Sequence, residues 1–224
     1  MFTHLHAAER KRLQAPGVAA WVVGLTLLIA GCGSGDSQVG GGGAGDNGVA
    51  AKSAEEILAE ASTALKAAQS VHLKGTLKED DRAVSVDLRL GRDAAQGSIV
   101  YGPDASVELI KTGGKLYQSA STIAGPQPWE IVPASEQDST GALLDLGRIA
   151  DDMLEADGTL NKGATTTVAG QPAIAVQDTD SVLYVATTGT PYPLRVAGSA
   201  SEDSALDFLD YNTPVAVTPP KDAG

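Results

Sequence analysis

Apolar and polar residues alternate along much of the chain after Gln69, and this period of two predicts β-strands. The first examples are Val71-His72-Leu73-Lys74 and, after a polar turn, Val84-Ser85-Val86-Asp87. Further strands are predicted at Gly97–Tyr101, Ser106–Lys111, Lys115–Ser119, Trp129–Val132, Thr165–Val168, Ala173–Gln177, Val182–Thr187, Tyr192–Val196 and Ala205–Tyr211. Because short turns with Gly, Pro or Asp separate these segments, we expect consecutive strands to pair antiparallel.

Two segments have apolar residues at helical spacing instead. The first opens at Ser53, where Ser53 and Glu56 match a capping box. Its apolar residues are Ile57, Leu58, Ala61, Leu65 and Ala68. The second runs from Leu143 to Ala156, with apolar residues three and four positions apart. We expect helices that cover one face of the sheet.

The number of strands constrains the shape of the sheet. A twisted sheet that approaches ten strands rarely stays flat, so it curls toward a barrel or splits into two layers. Residues 53–224 are sufficient for a single core and contain no internal repeat. We therefore predict one α+β domain at 53–224, with a strongly curved antiparallel β-sheet and covering α-helices.

The first 31 residues have the organisation of a secretory signal peptide. Arg10-Lys11-Arg12 precedes an apolar run from Val18 to Ala30, which is shorter than the ~20 residues of a membrane span. The run ends in Ile29-Ala30-Gly31-Cys32, which resembles the lipobox of bacterial lipoproteins. The resemblance implies that Cys32 receives a diacylglyceryl group and becomes the first mature residue. The alternative is an ordinary signal peptide cut nearby, with Cys32 as a free thiol.

Residues 33–52 are rich in glycine and lack aromatic residues, which is typical of a flexible tether. The predicted organisation is thus a signal peptide at 1–31, a lipidated Cys and Gly-rich tether at 32–52, and a folded domain at 53–224. Cys32 is the only cysteine, so no intramolecular disulfide can form. Two or three acyl chains on Cys32 would give stable attachment to the membrane.

The charge and composition of the mature chain exclude several classes of function. Removal of residues 1–31 takes away three basic residues and one acidic residue, which leaves 13 basic and 27 acidic residues and a net charge of −14. Such a chain is repelled by phosphate backbones, so we expect no nucleic-acid partner.

Catalytic and metal chemistry are also poorly supported. His72 is the only mature histidine, and strand alternation directs it to solvent. No nucleophile-elbow sequence accompanies it, and a metal site lacks both Cys and His ligands. We predict no catalytic residue, no metal and no cofactor. A hydrolase acting near the membrane is the third hypothesis, and it requires a cleft that brings His72 against a nucleophile.

The chain resembles the actinobacterial LppX/LprG (LprAFG) lipoproteins, whose fold is related to that of the LolA and LolB lipoprotein carriers. The resemblance rests on the lipobox, the Gly-rich tether, the helix that leads into Val71-His72-Leu73-Lys74-Gly75, and the segments Val168–Ala173 and Leu183–Val196. These motifs are architectural. They imply a half-barrel sheet with helices over its concave side, enclosing an apolar cavity that holds acyl chains of envelope lipids or lipoglycans.

Alternation places the apolar residues of the first two strands on one side of the sheet. These candidate cavity-lining residues are Val71, Leu73, Leu77, Val84, Val86, Leu88 and Leu90. A filled core shows the same pattern, so two hypotheses remain open. The first is an anchored extracytoplasmic lipoprotein that binds or carries acylated lipids or glycolipids. The alternative is an anchored lipoprotein with a closed core that binds an envelope protein or the cell wall. Both place the protein on the extracytoplasmic face of the cell membrane.

Overall fold

The computed structural model describes residues 45–79, 82–137, 141–156, 158–198, 201–221 and 223, all within one compact unit. The α-helices are α1 (Ala54–Ala67) and α2 (Leu146–Asp152), and two 3₁₀ turns span Val49–Ala51 and Gly141–Leu144. The strands are β1 (Ser70–Glu79), β2 (Arg82–Gly91), β3 (Ala95–Tyr101), β4 (Ala105–Thr112), β5 (Lys115–Thr122), β6 (Gly125–Pro126), β7 (Glu130–Ile131), β8 (Asn161–Val168), β9 (Gln171–Gln177), β10 (Ser181–Ala186), β11 (Pro193–Gly198) and β12 (Ser201–Leu209).

Helix α1 begins at the capping box that the sequence predicts. The Ser53 hydroxyl accepts a hydrogen bond from the Glu56 backbone N–H at 3.2 Å, and the Glu56 carboxylate accepts one from the Ser53 N–H at 2.9 Å. These two bonds satisfy backbone donors that an isolated helix end leaves unpaired. The apolar stripe of the helix is buried, with Ile57 and Leu65 fully inaccessible. The prediction of an amphipathic helix after Ser53 is therefore confirmed.

The twelve described strands form one antiparallel sheet in the order β6-β5-β4-β3-β2-β1-β12-β11-β10-β9-β8, with β7 also paired to β5. The chain starts at the centre in β1, proceeds outward to the β5–β7 edge, crosses to β8 at the other edge, and returns inward to β12. The pairing of β1 with β12 joins the two halves. The sheet is curved and does not close, so the α+β fold class predicted from the sequence is confirmed.

The helices cover one face of this sheet. α1 contacts β9 and β11 and also packs against α2, where the Ser62 hydroxyl donates to the Ala150 carbonyl at 2.8 Å. The face turned toward the helices has alternating buried apolar residues, including Leu73, Leu88 and Val185. We call it the helix-covered face and the opposite side the outer face. The connection between β7 and β8 runs from one sheet edge to the other and includes α2.

The region from Leu143 to Ala156 differs from the single helix that its spacing predicts. A 3₁₀ turn ends at Leu144, and Asp145 has an extended backbone with φ −123°. Its carboxylate accepts a hydrogen bond from the Arg148 N–H at 3.1 Å and caps α2. Asp favours helix N-caps because its side chain replaces a missing backbone acceptor. The helix therefore starts at Leu146 and ends at Asp152.

The predicted strand at Trp129–Val132 is also shorter than expected. Only Glu130 and Ile131 pair with β5, and the two-residue strand β6 at Gly125–Pro126 was not predicted. Strands of two residues contain no periodic signal, so pairing with β5 alone defines them.

Residues 46–52, the end of the segment expected to be tether, are attached to the folded domain. Asp46 pairs with Thr188, and the Val49 side chain is fully buried. The Lys162 ammonium donates to the Lys52 carbonyl at 2.8 Å. The folded part therefore extends to the N-terminal side of Ser53. The predicted signal peptide, lipobox and Cys32 lie outside the described residues.

Candidate functional site

The candidate cavity-lining residues share the helix-covered face of β1 and β2. Directly opposite residues of antiparallel strands project to the same side of a sheet. The register places Val71 opposite Leu90, Leu73 opposite Leu88, and Leu77 opposite Val84, with Val86 opposite Gly75. The structure therefore brings these residues together on one surface, as alternation predicts. Whether they line a lipid cavity remains a prediction.

Burial changes along this surface. Val71, Leu73, Leu88 and Leu90 near the start of β1 are at most 4% exposed. Leu77, near the end of β1, is half-buried. The apolar layer is thus covered where α1 leads into β1 and less covered at the far end of the strands.

The less covered end continues across the neighbouring strands as one row. The strand register places five residues side by side on the helix-covered face of β1 to β5, one from each strand. They are Leu77, Val84, Tyr101, Ala105 and Thr122. We call this set the distal row. Tyr101 is 45% exposed and Val84 is 7% exposed, whereas Leu77 and Ala105 are half-buried. Solvent therefore reaches part of this apolar face at the distal row.

Two glycines lie on the same face next to β2. A Cβ at Gly75 would meet the Ala205 carbonyl oxygen at 2.0 Å, and a Cβ at Gly97 would meet the Asp87 carbonyl oxygen at 2.0 Å. Neighbouring backbone thus occupies the space that a side chain would need. Glycine inside a strand marks close backbone approach or a sharp bend. Gly75 and Gly97 allow β1 to approach β12 closely and β3 to approach β2 closely, a role that the sequence analysis did not identify.

The outer face has a charged cluster around His72. Its Nε2 lies 2.7 Å from Asp87 Oδ1, and its Nδ1 lies 3.2 Å from Asp210 Oδ2. Each carboxylate also has a cationic partner, because Lys74 donates to Asp87 at 2.8 Å and Arg89 lies 3.4 Å from Asp210. The His72 side chain is 8% exposed. The expectation that His72 faces open solvent is therefore wrong, because the two carboxylates cover the ring.

Electrostatics within the cluster favours the ionised form of Asp87. Partial burial raises the pKa of Asp87, but hydrogen bonds from Lys74 and His72 outweigh it and hold the pKa below its usual value. A groove of 310 Å³ adjoins the cluster on the outer face, and Asp87, Arg89 and Trp129 contribute to its wall. This groove has both charged and apolar walls and lies opposite the predicted cavity-lining residues.

The chemistry available to His72 is limited by these contacts. Both ring nitrogens are hydrogen-bonded to carboxylates, and no serine or threonine hydroxyl of the described residues bonds to His72. Within the ranges that the structure describes, no group of three or more His, Cys, Asp or Glu side chains is arranged to hold a metal ion. None of the described helices has both the length and the apolar character needed to span a membrane.

A curved, unclosed antiparallel sheet with helices over one face is the fold of the LppX/LprG lipoproteins. Among solved structures, the chain is similar to the crystal structure of LprF from Mycobacterium bovis, with a TM-score of 0.55 and 15% sequence identity. The match covers 76% of this chain and 97% of that chain. No family model and no curated protein sequence matches the chain. The resemblance inferred from the sequence is confirmed at the level of the fold.

Proposed function

We propose that this protein is an extracytoplasmic lipoprotein, anchored to the cell membrane through Cys32, that binds acyl chains of envelope lipids or glycolipids. The chains enter at the distal row and lie between the helix-covered face and the helices. The fold shared with LprF supports this proposal. The family resemblance seen in the sequence implies an apolar cavity for acyl chains on the side that the helices cover. The proposal assigns no catalytic residue and no cofactor.

The distal row is the observation that carries the proposal. It joins a buried aliphatic surface to solvent through the half-buried Leu77 and the exposed Tyr101. Ile123, in the turn directly after Thr122, is 84% exposed at the same end of the sheet. Acyl chains bind to such surfaces with little directional bonding, at ~25 cal/mol per Å² of apolar area removed from water.

Native mass spectrometry with solvent extraction tests lipid binding. The protein comprises residues 45–224, exported behind a cleavable signal peptide and purified without detergent, so that the contacts of residues 46–52 are retained. We expect a lipid with acyl chains at close to one per protein. An empty protein that also takes up no lipid from vesicles contradicts the proposal.

Substitution at the distal row tests where the lipid binds. Leu77→Trp places a bulky ring in the opening, and Leu77 is half-buried, so the core need not rearrange. Thr76→Trp is the matched control, because Thr76 is its half-buried neighbour on the outer face. We expect lipid to be lost from the Leu77 variant only. Ala105→Trp repeats the test on β4, and circular dichroism checks the folding of each variant.

The complete burial of apolar residues near the helices favours a second candidate function, which is binding to a partner through the protein surface. Leu88 and Leu90 are 1% and 0% exposed, as in a filled core. In this alternative, the anchored lipoprotein has a closed core and binds a protein or the cell wall through its surface. An empty domain with unchanged stability in the Leu77→Trp variant would favour this alternative.

Anchoring through Cys32 requires a separate test on the full chain. Cells are fed an alkyne-bearing palmitate, and the protein is analysed for label and for its N-terminal peptide. We expect label on the wild type, cleavage before Cys32, and loss of label in Cys32→Ser. Ser34→Ala is the control in the neighbouring sequence. An unlabelled wild-type protein contradicts the anchor without affecting the lipid-binding test.

A further inference from the structure

A second concave site lies at the end of the sheet opposite the distal row. Three connections that are distant in sequence meet there: the β8–β9 turn, the β10–β11 loop and the residues after β12. They enclose a pocket of 470 Å³, within the range of small-ligand sites. The pocket shares no residue with the distal row.

The wall of this end pocket contains a rigid aromatic pair. The rings of Tyr192 and Tyr211 stack with centroids 3.9 Å apart and an interplanar angle of 10°. The Tyr211 hydroxyl donates to the Pro193 carbonyl at 2.8 Å, and Asn212 donates to the Tyr192 hydroxyl at 3.0 Å. Burial, followed by the influence of Tyr192, raises the pKa of Tyr211 well above its usual value. Tyr211 is therefore neutral and fixed, and it supports the half-buried Tyr192 ring.

The other residues of the end pocket form an apolar floor and contribute several polar side chains. Ala186 and Leu194 belong to a small buried cluster beneath the pocket. In the part of the chain that the structure describes, the side chains of Gln171, Thr188 and Thr190 have no hydrogen-bond partner, and all three line the pocket. They offer hydroxyl and amide groups to a ligand, with a stacked aromatic ring beside them.

The charge of the residues that line the end pocket determines which polar ligands it can bind. Asp210 is the one charged residue among those that line the pocket, and its carboxylate already contacts His72 and Arg89. Neither Lys nor Arg is among the lining residues, so a phosphate or carboxylate would find no cationic partner here. A neutral ring with several hydroxyls fits these groups, because it can stack its C–H face on tyrosine and bond to Thr, Gln and Asp.

We propose that the end pocket is a binding site for a neutral sugar ring. The site is separate from the proposed acyl-chain site, and its test does not depend on lipid uptake. Asp46 pairs with Thr188 of the pocket rim, so the first described residues of the chain lie beside this pocket. If Cys32 is anchored, the sugar belongs either to a glycolipid headgroup or to a glycan close to the membrane.

Saturation-transfer NMR on the full chain, purified in detergent and then reconstituted into phosphatidylglycerol vesicles, tests this site. The probes are the methyl glycosides of glucose, mannose and galactose. Thr190→Trp fills the pocket from an exposed loop position, and Thr190→Val removes one hydroxyl. Thr159→Trp and Thr159→Val are the controls, because Thr159 is exposed in the loop before β8 at the opposite end of the sheet.

We expect saturation transfer to at least one glycoside, its loss in Thr190→Trp, and about fivefold weaker binding in Thr190→Val, the effect of one lost hydrogen bond. Phosphatidylglycerol vesicles with and without monogalactosyl diacylglycerol identify the source of the sugar. Competition only by the galactolipid vesicles supports a headgroup, and binding without such competition supports a free glycan. No transfer from any glycoside, or transfer unchanged in Thr190→Trp, overturns the proposal.

Discussion

At the scale of single residues, His72 illustrates how neighbours decide exposure. It alternates with Val71 and Leu73 and lies on the outer face, as the sequence predicts. Asp87 is on the adjacent strand β2, whereas Asp210 is 138 residues away and follows β12. Strand alternation specifies the face of a residue, but only the pairing of β1 with both β2 and β12 brings these carboxylates to the ring.

The pKa of Asp87 predicts a pH dependence of stability. Its pKa is depressed in the folded state, so the unfolded chain takes up a proton at higher pH than the folded protein. Stability that is present above the unfolded value, ~4, is therefore lost as the pH falls through the folded value. We expect Asp87→Asn to cost about 1 kcal/mol at neutral pH, a small figure because the side chain is 44% exposed.

Urea unfolding at neutral and acidic pH measures the difference in the free energy of unfolding between the wild type and Asp87→Asn. This difference should shrink as the pH falls below ~4, because the wild-type carboxylate then becomes neutral as well. Asp104→Asn, in the exposed turn between β3 and β4, is the control and should leave the profile unchanged. A cost that is equal at all pH values would contradict this explanation.

At the scale of elements, regular periodicity was sufficient to predict most strands and α1 from the sequence. The strands β6 and β7 were missed or misjudged because two residues are too short to show a period. The region from Leu143 to Ala156 was misjudged because its helical spacing continues across the interruption at Asp145. The N-cap at Asp145 has a local sequence signal, an Asp directly before an apolar helical residue. The edge strands have none, because their definition depends on contact with β5.

The capping box of α1 predicts a measurable loss when it is removed. Ser53→Ala deletes the acceptor of the Glu56 N–H and should lower the free energy of unfolding by about 1 kcal/mol. The measurement is urea unfolding followed by circular dichroism. Ser85→Ala, at an exposed position of β2, provides the control and should change stability by less than ~0.5 kcal/mol. Equal effects of the two changes would show that the cap is not responsible.

Replacing either of the two strand glycines should lower the stability of the protein more than removing the cap of α1. Gly75→Ala and Gly97→Ala each place a Cβ 2.0 Å from a backbone oxygen of a neighbouring strand, and backbone cannot yield as a flexible side chain does. We expect each to cost several kcal/mol or to prevent folding, as strained substitutions do. Gly141→Ala is the control, since its Cβ would meet nothing within 4 Å. Thermal unfolding compares them, and wild-type stability of both strand variants would contradict this role.

At the scale of the whole molecule, the order of strands brings distant segments together. β1 at the start of the sheet pairs with β12 near the end of the described chain, and the residues before α1 attach to the β10–β11 loop. The amide of Asn47 donates to the Ala186 and Gly189 carbonyls at 3.0 Å each, and its oxygen accepts from the Val49 N–H at 3.1 Å. This side chain thus makes three of the hydrogen bonds at the junction between the N-terminal segment and the domain.

Asn47→Ala should loosen that junction. Loss of the three hydrogen bonds should cost about 1–3 kcal/mol and free the buried Val49. We expect faster hydrogen exchange in residues 46–52 and 186–189, read by mass spectrometry, with unchanged exchange in β1 and β2. Asn161→Ala is the control, because among the described residues its amide bonds only to the nearby Thr159 carbonyl. Unchanged exchange in both segments would refute the assigned role of Asn47.

The sequence by itself determined the elements with regular periodicity, the shared face of Val71 to Leu90, and the antiparallel order, because each depends on neighbours along the chain or on short turns. The tertiary structure decided what depends on pairing across long separations: the covering of His72, the solvent-exposed distal row, and the end pocket formed by three loops. The physical reason is that burial and cavity shape depend on which strands and helices become neighbours. Alternation within one strand contains no information about its partner.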